Sequence, residues 1–310
     1  MPPRLNRREA LGTAVTVAGI AAASTATAPP QAEAGGHVEL GRYARRDGVY
    51  GRMTGGQAAA AALRCEAVPC VFGVPGAQNN DLWDAFKAYE VPYMLVAHEA
   101  SASVMADASA RATGRVGAFS VVPGPGLTNC LTGIGEALYD GIPIVGIVTD
   151  IDRAPNAPIG QVHGLNHEAL LRPVVKALFT VRHQSEIPGA IFQAFRVARS
   201  GEPGPVGVLI PFPLFTEVWD YDHAPPPPLP LPFDENAYQR IVGHLKDRRK
   251  RIGIYAGMGC VEAGPALTAV AEVLQAPVAT SVSGKGVIAD GHPLAVGWGY
   301  GKQGTRAAEK

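Results

Sequence analysis

Three turns in this sequence place chemically useful groups where an apolar run gives way to a helical pattern. They are Val74-Pro75-Gly76-Ala77, His98-Glu99-Ala100 and Pro123-Gly124-Pro125-Gly126-Leu127-Thr128-Asn129. Glu99 is the only carboxylate on the three. It stands between the apolar run 93–97 and an alanine-rich stretch, a position expected to strip part of its water. Burial favours the protonated form of a carboxyl, and such a group can share a proton with a ring nitrogen. The same position also suits an ordinary first-turn helix carboxylate favoured by the macrodipole. The glycines read two ways as well, as close approach to a ligand or as plain strand-to-helix turns.

Further candidates lie downstream. His163 and His167, within Gly160-Gln161-Val162-His163-Gly164-Leu165-Asn166-His167-Glu168, are either substrate contacts or solvated loop histidines. Lys176, in R-P-V-V-K, reads as a surface lysine at a strand start. Cys65, Cys70, Cys130 and Cys260 form no C-x-x-C pair and have no histidine at ligand spacing, so buried thiols are expected and no metal site.

These groups need elements to hold them. Thr54 can cap a helix running through the alanines at 58–62 to about residue 65. Strands are expected at 70–74, 93–97, 117–122 and 142–148, and helices after residue 79, over 99–112 and from 126 to about 140. The alternation of short apolar runs with helical patterns means βαβ units and a buried, doubly wound parallel sheet of the α/β class. Ligands of such sheets gather beyond the carboxyl ends of the strands, where the three turns fall. A helix opened by Pro188 and a strand at 206–210 close this domain, placed at residues 50–222. A proline-rich linker follows at 223–235. A second, partial α/β domain occupies 236–310, with a strand at 251–256, a helix from Pro265 and a strand at 277–280.

Composition agrees. The chain has 310 residues, equal numbers of basic and acidic side chains, and 47% hydrophobic residues. It can bury a sizeable core, and its one basic run, at 246–251, makes nucleic acid a poor partner. Residues 1–34 form a separate object. Arg7-Arg8 precede the apolar run 11–23 and the A-x-A pattern at Ala26-Thr27-Ala28. That run is too short for a bilayer, which takes roughly 20 residues, so no stable span is expected. The segment resembles a twin-arginine export signal, with an ordinary secretory signal as the alternative, and predicts a periplasmic or extracellular protein.

The order of motifs is more specific than any one of them. F-G-V-P-G, then V-A-H-E-A with M-A-D-A behind it, then G-P-G-L-T-N-C-L-T-G-I-G-E-A resembles the pyrimidine-binding domain of thiamine-diphosphate enzymes of the acetolactate-synthase kind. The resemblance runs from Met53 to about Glu217. It resumes with I-Y-A-G-M-G, S-G-K-G-V-I-A-D-G-H-P-L and G-T-R-A-A, which look like the family's central domain. It implies that Glu99 is the catalytic carboxylate, hydrogen-bonding the cofactor's aminopyrimidine and promoting the imino tautomer that activates the thiazolium carbon against a 2-oxo acid. It also implies that Pro75, Gly76, Gly126, Thr128 and Asn129 line the pyrimidine pocket. Carboligation or decarboxylation is the expected reaction, with the cofactor carrying the hard chemistry.

Departures from the family pattern set further expectations. The family binds magnesium and the diphosphate through G-D-G and a distant asparagine pair in a third domain, and no G-D-G occurs here. The chain is therefore expected to hold half a cofactor site, to be inactive alone, and to need a homodimer or partner subunit carrying the other half. A truncated or split gene, or a non-catalytic assembly subunit, is the alternative. Neither the synthases' phenylalanine-glutamine pair nor the decarboxylases' adjacent histidine pair is evident at 160–168. Gly257-Met258-Gly259 could approach FAD, a weak signal because some members lack flavin. No P-loop or complete G-x-G-x-x-G follows any strand, which disfavours a generic nucleotide-binding domain.

Overall fold

The computed structural model describes residues 47–157, 160–227, 233–247, 249–299 and 304–308. The proposed export segment and residues 228–232 of the proline-rich linker lie outside them. In chain order, β1 (Val49–Thr54), α1 (Gly55–Cys65), β2 (Val71–Gly73), α2 (Asn80–Ala88), β3 (Tyr93–Leu95), α3 (Glu99–Thr113), β4 (Gly117–Val121), α4 (Pro125–Tyr139) and β5 (Ile144–Asp150) come first. Then follow α5 (His167–Leu171), β6 (Ala177–Thr180), α6 (Ile187–Ala198), β7 (Val206–Pro211), α7 (Pro213–Thr216) and β8 (Val218–His223).

Six of these strands make one parallel sheet in the order β3-β2-β4-β5-β7-β6. The apolar runs are continuous because both faces are covered. Val71, Ala118, Val145, Ile147, Val206, Val208 and Ile210 enter one core with α1, α2 and α6. Phe72, Phe119, Ile144, Val148 and Leu209 enter the other with α3 and α4. The chain steps from β2 outward to β3, then crosses back to β4 on the opposite side of β2. The carboxyl ends of β2 and β4 are thus a topological switch point, where ligands of open α/β sheets bind.

Local chemistry explains the ends. Thr54 and Gln57 form a reciprocal capping box at α1, with Gln57 N on Thr54 Oγ1 at 3.3 Å and Thr54 N on Gln57 Oε1 at 2.9 Å. Gly114 ends α3 in the left-handed conformation, which costs glycine nothing. Edge strand β3 differs from expectation. Its Tyr93, Met94 and Leu95 are exposed rather than buried, because a strand at the sheet rim lacks a covering layer.

An antiparallel ribbon of β1 and β8, not foreseen from sequence, joins the two ends of this domain from Val49↔His223 to Thr54↔Val218. Beyond it lie α8 (Glu235–Lys246), β9 (Ile254–Ala256), α9 (Gly264–Leu274), β10 (Val278–Thr280) and β11 (Ala295–Trp298). These three strands are parallel in the order β11-β10-β9 over a small core of Ala256, Ala271, Val278, Val287 and Ile288. Among the described residues no helix is long and apolar enough to cross a membrane.

Candidate active site

Glu99 is the first residue of α3. Its N-terminal neighbour His98 caps that helix, accepting the Ala100 amide on Nδ1 at 3.1 Å. Glu99 is half-exposed, and what flanks it is α4 rather than a buried strand. Asn129 Nδ2 donates to Glu99 Oε2 at 2.9 Å, and the Cys130 thiol donates to the Glu99 backbone carbonyl at 3.0 Å. Glu99 Oε1 has no hydrogen-bond partner among the described residues. One carboxylate oxygen is therefore fixed while the other is open to a ligand.

Two features hold α3 against α4. A Cβ on Gly133 of α4 would lie 2.4 Å from Ser103 Oγ of α3, so the helices touch where only glycine fits. Arg111 then bridges the far ends, with Nε on Asp107 at 2.6 Å and a terminal nitrogen on Asp140 at 2.6 Å. The residues that carry Glu99 and Asn129 are consequently fixed at both ends of one helix pair.

The two glycine turns meet across one side chain. A Cβ on Gly76 would lie 2.7 Å from Val122 Cγ1, and one on Gly126 would lie 2.7 Å from Val122 Cγ2. Asn79 does not cap α2 with its side chain. It is fully buried and closes the Pro75-Gly76 turn instead, accepting the Gly76 amide on Oδ1 at 2.8 Å. Thr128 turns back on its own helix, with Oγ1 donating to the Pro125 carbonyl at 3.3 Å. Both glycines make room for Val122, and the Gly126 turn opens the helix that carries Asn129 to the half-fixed carboxylate.

The histidines separate. His167 is not on a solvated loop; it opens α5 and has no exposure. Its Nε2 accepts the Gly124 amide at 2.7 Å and its Nδ1 lies 2.6 Å from Asp150 Oδ1, leaving neither nitrogen for a substrate in this arrangement. An amide can only donate, so Nε2 carries the lone pair and Nδ1 the proton. Arg153 completes the cluster, donating to both Asp150 oxygens at 2.8 and 2.9 Å and to the Leu165 carbonyl at 2.8 Å. Burial alone would raise the Asp150 carboxyl. The hydrogen bonds from His167 and Arg153 outweigh it and hold that carboxyl below its ordinary value. His163 sits at φ 66° with its side chain against Gly124, its Nδ1 buried without a partner among the described residues.

Sequence reasoning missed Asp150 and Arg153 because the strand was read as ending at residue 148. The signal was there in an aspartate closing an apolar run, with an arginine three residues on. Lys176 is a support for α6: its Nζ donates to the carbonyls of Val197, Ser200 and Glu202 at 2.7, 2.5 and 2.8 Å. A concavity of about 700 Å³ lies elsewhere, at the carboxyl ends of β5, β6 and β7, and is lined by Asp150, Arg153, Arg182 and Glu217 among others. Neither Glu99 nor the Gly76 and Gly126 turns line it. Chemistry rather than concavity marks the Glu99 site. Among the described residues no group of His, Cys, Asp or Glu is arranged to hold a metal ion.

Fold and site together define a doubly wound α/β protein with a partly exposed glutamate, held by Asn129, beside its switch point. The family model "Thiamine pyrophosphate enzyme, N-terminal TPP binding domain" matches residues 53–170, and "Thiamine pyrophosphate enzyme, central domain" matches 239–310. The chain belongs to the thiamine pyrophosphate enzyme family, among its acetolactate-synthase-like members. It is similar to a probable acetolactate synthase large subunit of Methanocaldococcus jannaschii, with 33% identity over 271 residues, covering 83% of this chain and 44% of that protein. It is 32% identical over 269 residues to the acetolactate synthase isozyme 2 large subunit of Escherichia coli, covering 83% of this chain and 47% of the other. A probable 2-ketoarginine decarboxylase of Pseudomonas aeruginosa is 32% identical over 254 residues, covering 79% and 44%. The chain thus spans less than half the length of these relatives.

Proposed function

We propose that this chain supplies the aminopyrimidine-binding half of a thiamine-diphosphate-dependent carboligase or decarboxylase acting on 2-oxo acids. The observation that carries the reading is Glu99, one oxygen held by Asn129 and the other open, at the carboxyl end of a doubly wound sheet. When bound, thiamine diphosphate supplies a carbon nucleophile that adds to the carbonyl of a 2-oxo acid and accepts its electrons as carbon dioxide leaves. Glu99 would hold or give up a proton at the pyrimidine ring. Asn129 would keep the carboxylate aimed, and the Gly76 and Gly126 turns would admit the ring. The names of the relatives, synthases and a decarboxylase, support both reaction types without choosing between them.

Magnesium and the diphosphate would be held outside these residues, by a G-D-G-bearing domain of a partner subunit or of a longer form of this chain. The exposed apolar rim at Tyr93, Met94, Leu95 and Val104, around the Glu99 turn, supports a covering surface there. FAD near Gly257-Met258-Gly259 and export through the arginine-pair segment belong to this reading as well.

Calorimetric titration with thiamine diphosphate and magnesium tests it, with and without a protein carrying the G-D-G domain, and with Glu99→Gln in parallel. Binding and 2-oxo-acid decarboxylation that need the second component, with the turnover lost in the variant, are expected. No binding in either condition would sink the reading.

A further inference from the structure

We propose that His167 is a positioning residue for Glu99, acting with Asp150 and Arg153 through the Gly124 turn. The inference deepens the reading of Glu99 given above and rests on it for its functional meaning. Its geometry does not.

The chain of contacts is continuous. Arg153 donates to both oxygens of Asp150, and Asp150 Oδ1 also accepts the Ile151 amide at 2.7 Å, which fixes the carboxylate on the end of β5. The carboxylate in turn fixes the His167 ring in its Nδ1–H form, aiming the lone pair of Nε2 at the Gly124 amide. Gly124 precedes α4 with φ 65° and ψ −117°, and its carbonyl accepts the Thr128 amide at 3.0 Å, the first turn of that helix. No side chain caps α4. One residue beyond Thr128 stands Asn129, whose amide holds Glu99, and then Cys130, whose thiol holds the Glu99 carbonyl.

The start of α4, which carries Asn129 to Glu99, thus has a further anchor outside the helix pair, on α5. A helix start in a glycine-only conformation has several accessible neighbours in backbone space, and an external hydrogen bond selects one of them. A buried amide without its acceptor is strongly disfavoured, so a turn deprived of His167 is expected to move rather than stay. The imidazole is suited to this because it is rigid and short, with donor and acceptor on opposite sides. The cluster also reaches the 700 Å³ cleft, since Asp150 and Arg153 line it.

The test is made on the full chain without cofactor, so that failure of thiamine diphosphate to bind would leave its outcome standing. Nitrogen-15 NMR reads the His167 ring nitrogens, the Gly124 amide and the Asn129 side-chain amide. Glu99→Ala gives the Asn129 signal of a broken Asn129–Glu99 bond. His167→Leu keeps the volume and removes both ring nitrogens. It is expected to speed Gly124 exchange about tenfold or more and to shift the Asn129 signal toward its Glu99→Ala position. His167→Gln restores an acceptor and is expected to bring that signal back. Leu171→Ala, a buried truncation on the same short helix, controls for general loosening and should leave it in place. An Asn129 signal unmoved in His167→Leu, or moved equally by Leu171→Ala, overturns the proposal. Should His167→Leu not fold, the unaltered chain decides: a His167 protonated on Nε2, or a freely exchanging Gly124 amide, overturns it equally.

Discussion

Asn129 Nδ2 sits 2.9 Å from Glu99 Oε2, joining the first turn of α3 to the second turn of α4 across the mouth of the sheet. The amide gives the carboxylate a donor but no charge. It orients Glu99 without forming an ion pair. A carboxylate meant to exchange a proton with a ring needs that neutrality, whereas an arginine in the same place would hold the proton off.

On the proposed function, Glu99→Gln is expected to slow 2-oxo-acid decarboxylation by the assembled enzyme by about 10²- to 10⁴-fold, the usual contribution of a positioned acid or base. Asn129→Leu removes only the orienting bond and should cost on the order of tenfold. Both variants should melt close to the unaltered chain, since neither group is buried in a core. Steady-state rates with the diphosphate-binding component present make the comparison. An Asn129→Leu rate as low as that of Glu99→Gln would mean that Asn129 does more than orient.

Gly124→Ala should be among the most damaging single changes in the domain. A Cβ there would lie 2.6 Å from His163 Cβ, on a backbone at φ 65° and ψ −117° that residues with side chains avoid. A loss of about 2 kcal/mol or more is expected in urea unfolding. Gly114→Ala meets nothing within 4 Å and should cost less, because only its positive φ is strained. Equal losses at the two positions would show that the His163 contact has no weight.

The sheet was legible because parallel strands buried on both faces must be apolar at successive residues, as Ile144 to Val148 are. The α1 cap was legible because Thr54 stands just before an alanine-rich helical run; its reciprocal partner Gln57 was not read. The β1–β8 ribbon was not: only Tyr221 of Val218-Trp219-Asp220-Tyr221-Asp222-His223 is buried, so neither alternation nor an apolar run marks it. Helix α8 likewise buries no residue, and nothing in its pattern faces a core. At the site, Glu99 and the glycine turns could be picked out because each closes a strand. The Asp150–His167 pair could not, since partners 17 positions apart in the chain meet only in three dimensions. Exposed β3 misled for the opposite reason, since an apolar run looks the same at the rim of a sheet as in its centre.

Asp150 predicts an acid dependence of stability. Its folded carboxyl lies below its ordinary value of 3.8, so its contribution is complete above that pH and is lost as pH falls through the folded value. The urea-midpoint difference between the unaltered chain and Asp150→Asn should be largest near pH 7 and shrink below about pH 4. Running the pair again in a His167→Gln background removes protonation of the imidazole from the comparison. A difference that stays constant down to pH 3 would deny Asp150 its role as the charged centre of the cluster.

Cys130 gives the last prediction, at the alkaline end. Burial first, and then the nearby Glu99 charge, push its thiol from an ordinary 9.0 up to about 12. A thiol is neutral when protonated, so a raised folded value favours the folded state most strongly below pH 9. That advantage fades as pH climbs from there toward 12, because the unfolded chain releases its proton earlier. Replacing Cys130 with alanine should accordingly flatten the decline in stability between about pH 9 and 12. The same burial should keep Cys130 unalkylated by iodoacetamide at pH 8 until the domain unfolds, because the thiolate is the reacting form. Peptide mapping after brief labelling reads this directly. Rapid modification of Cys130 in the folded chain would mean that α3 and α4 part around Glu99, and with them the bond that Asn129 makes to it.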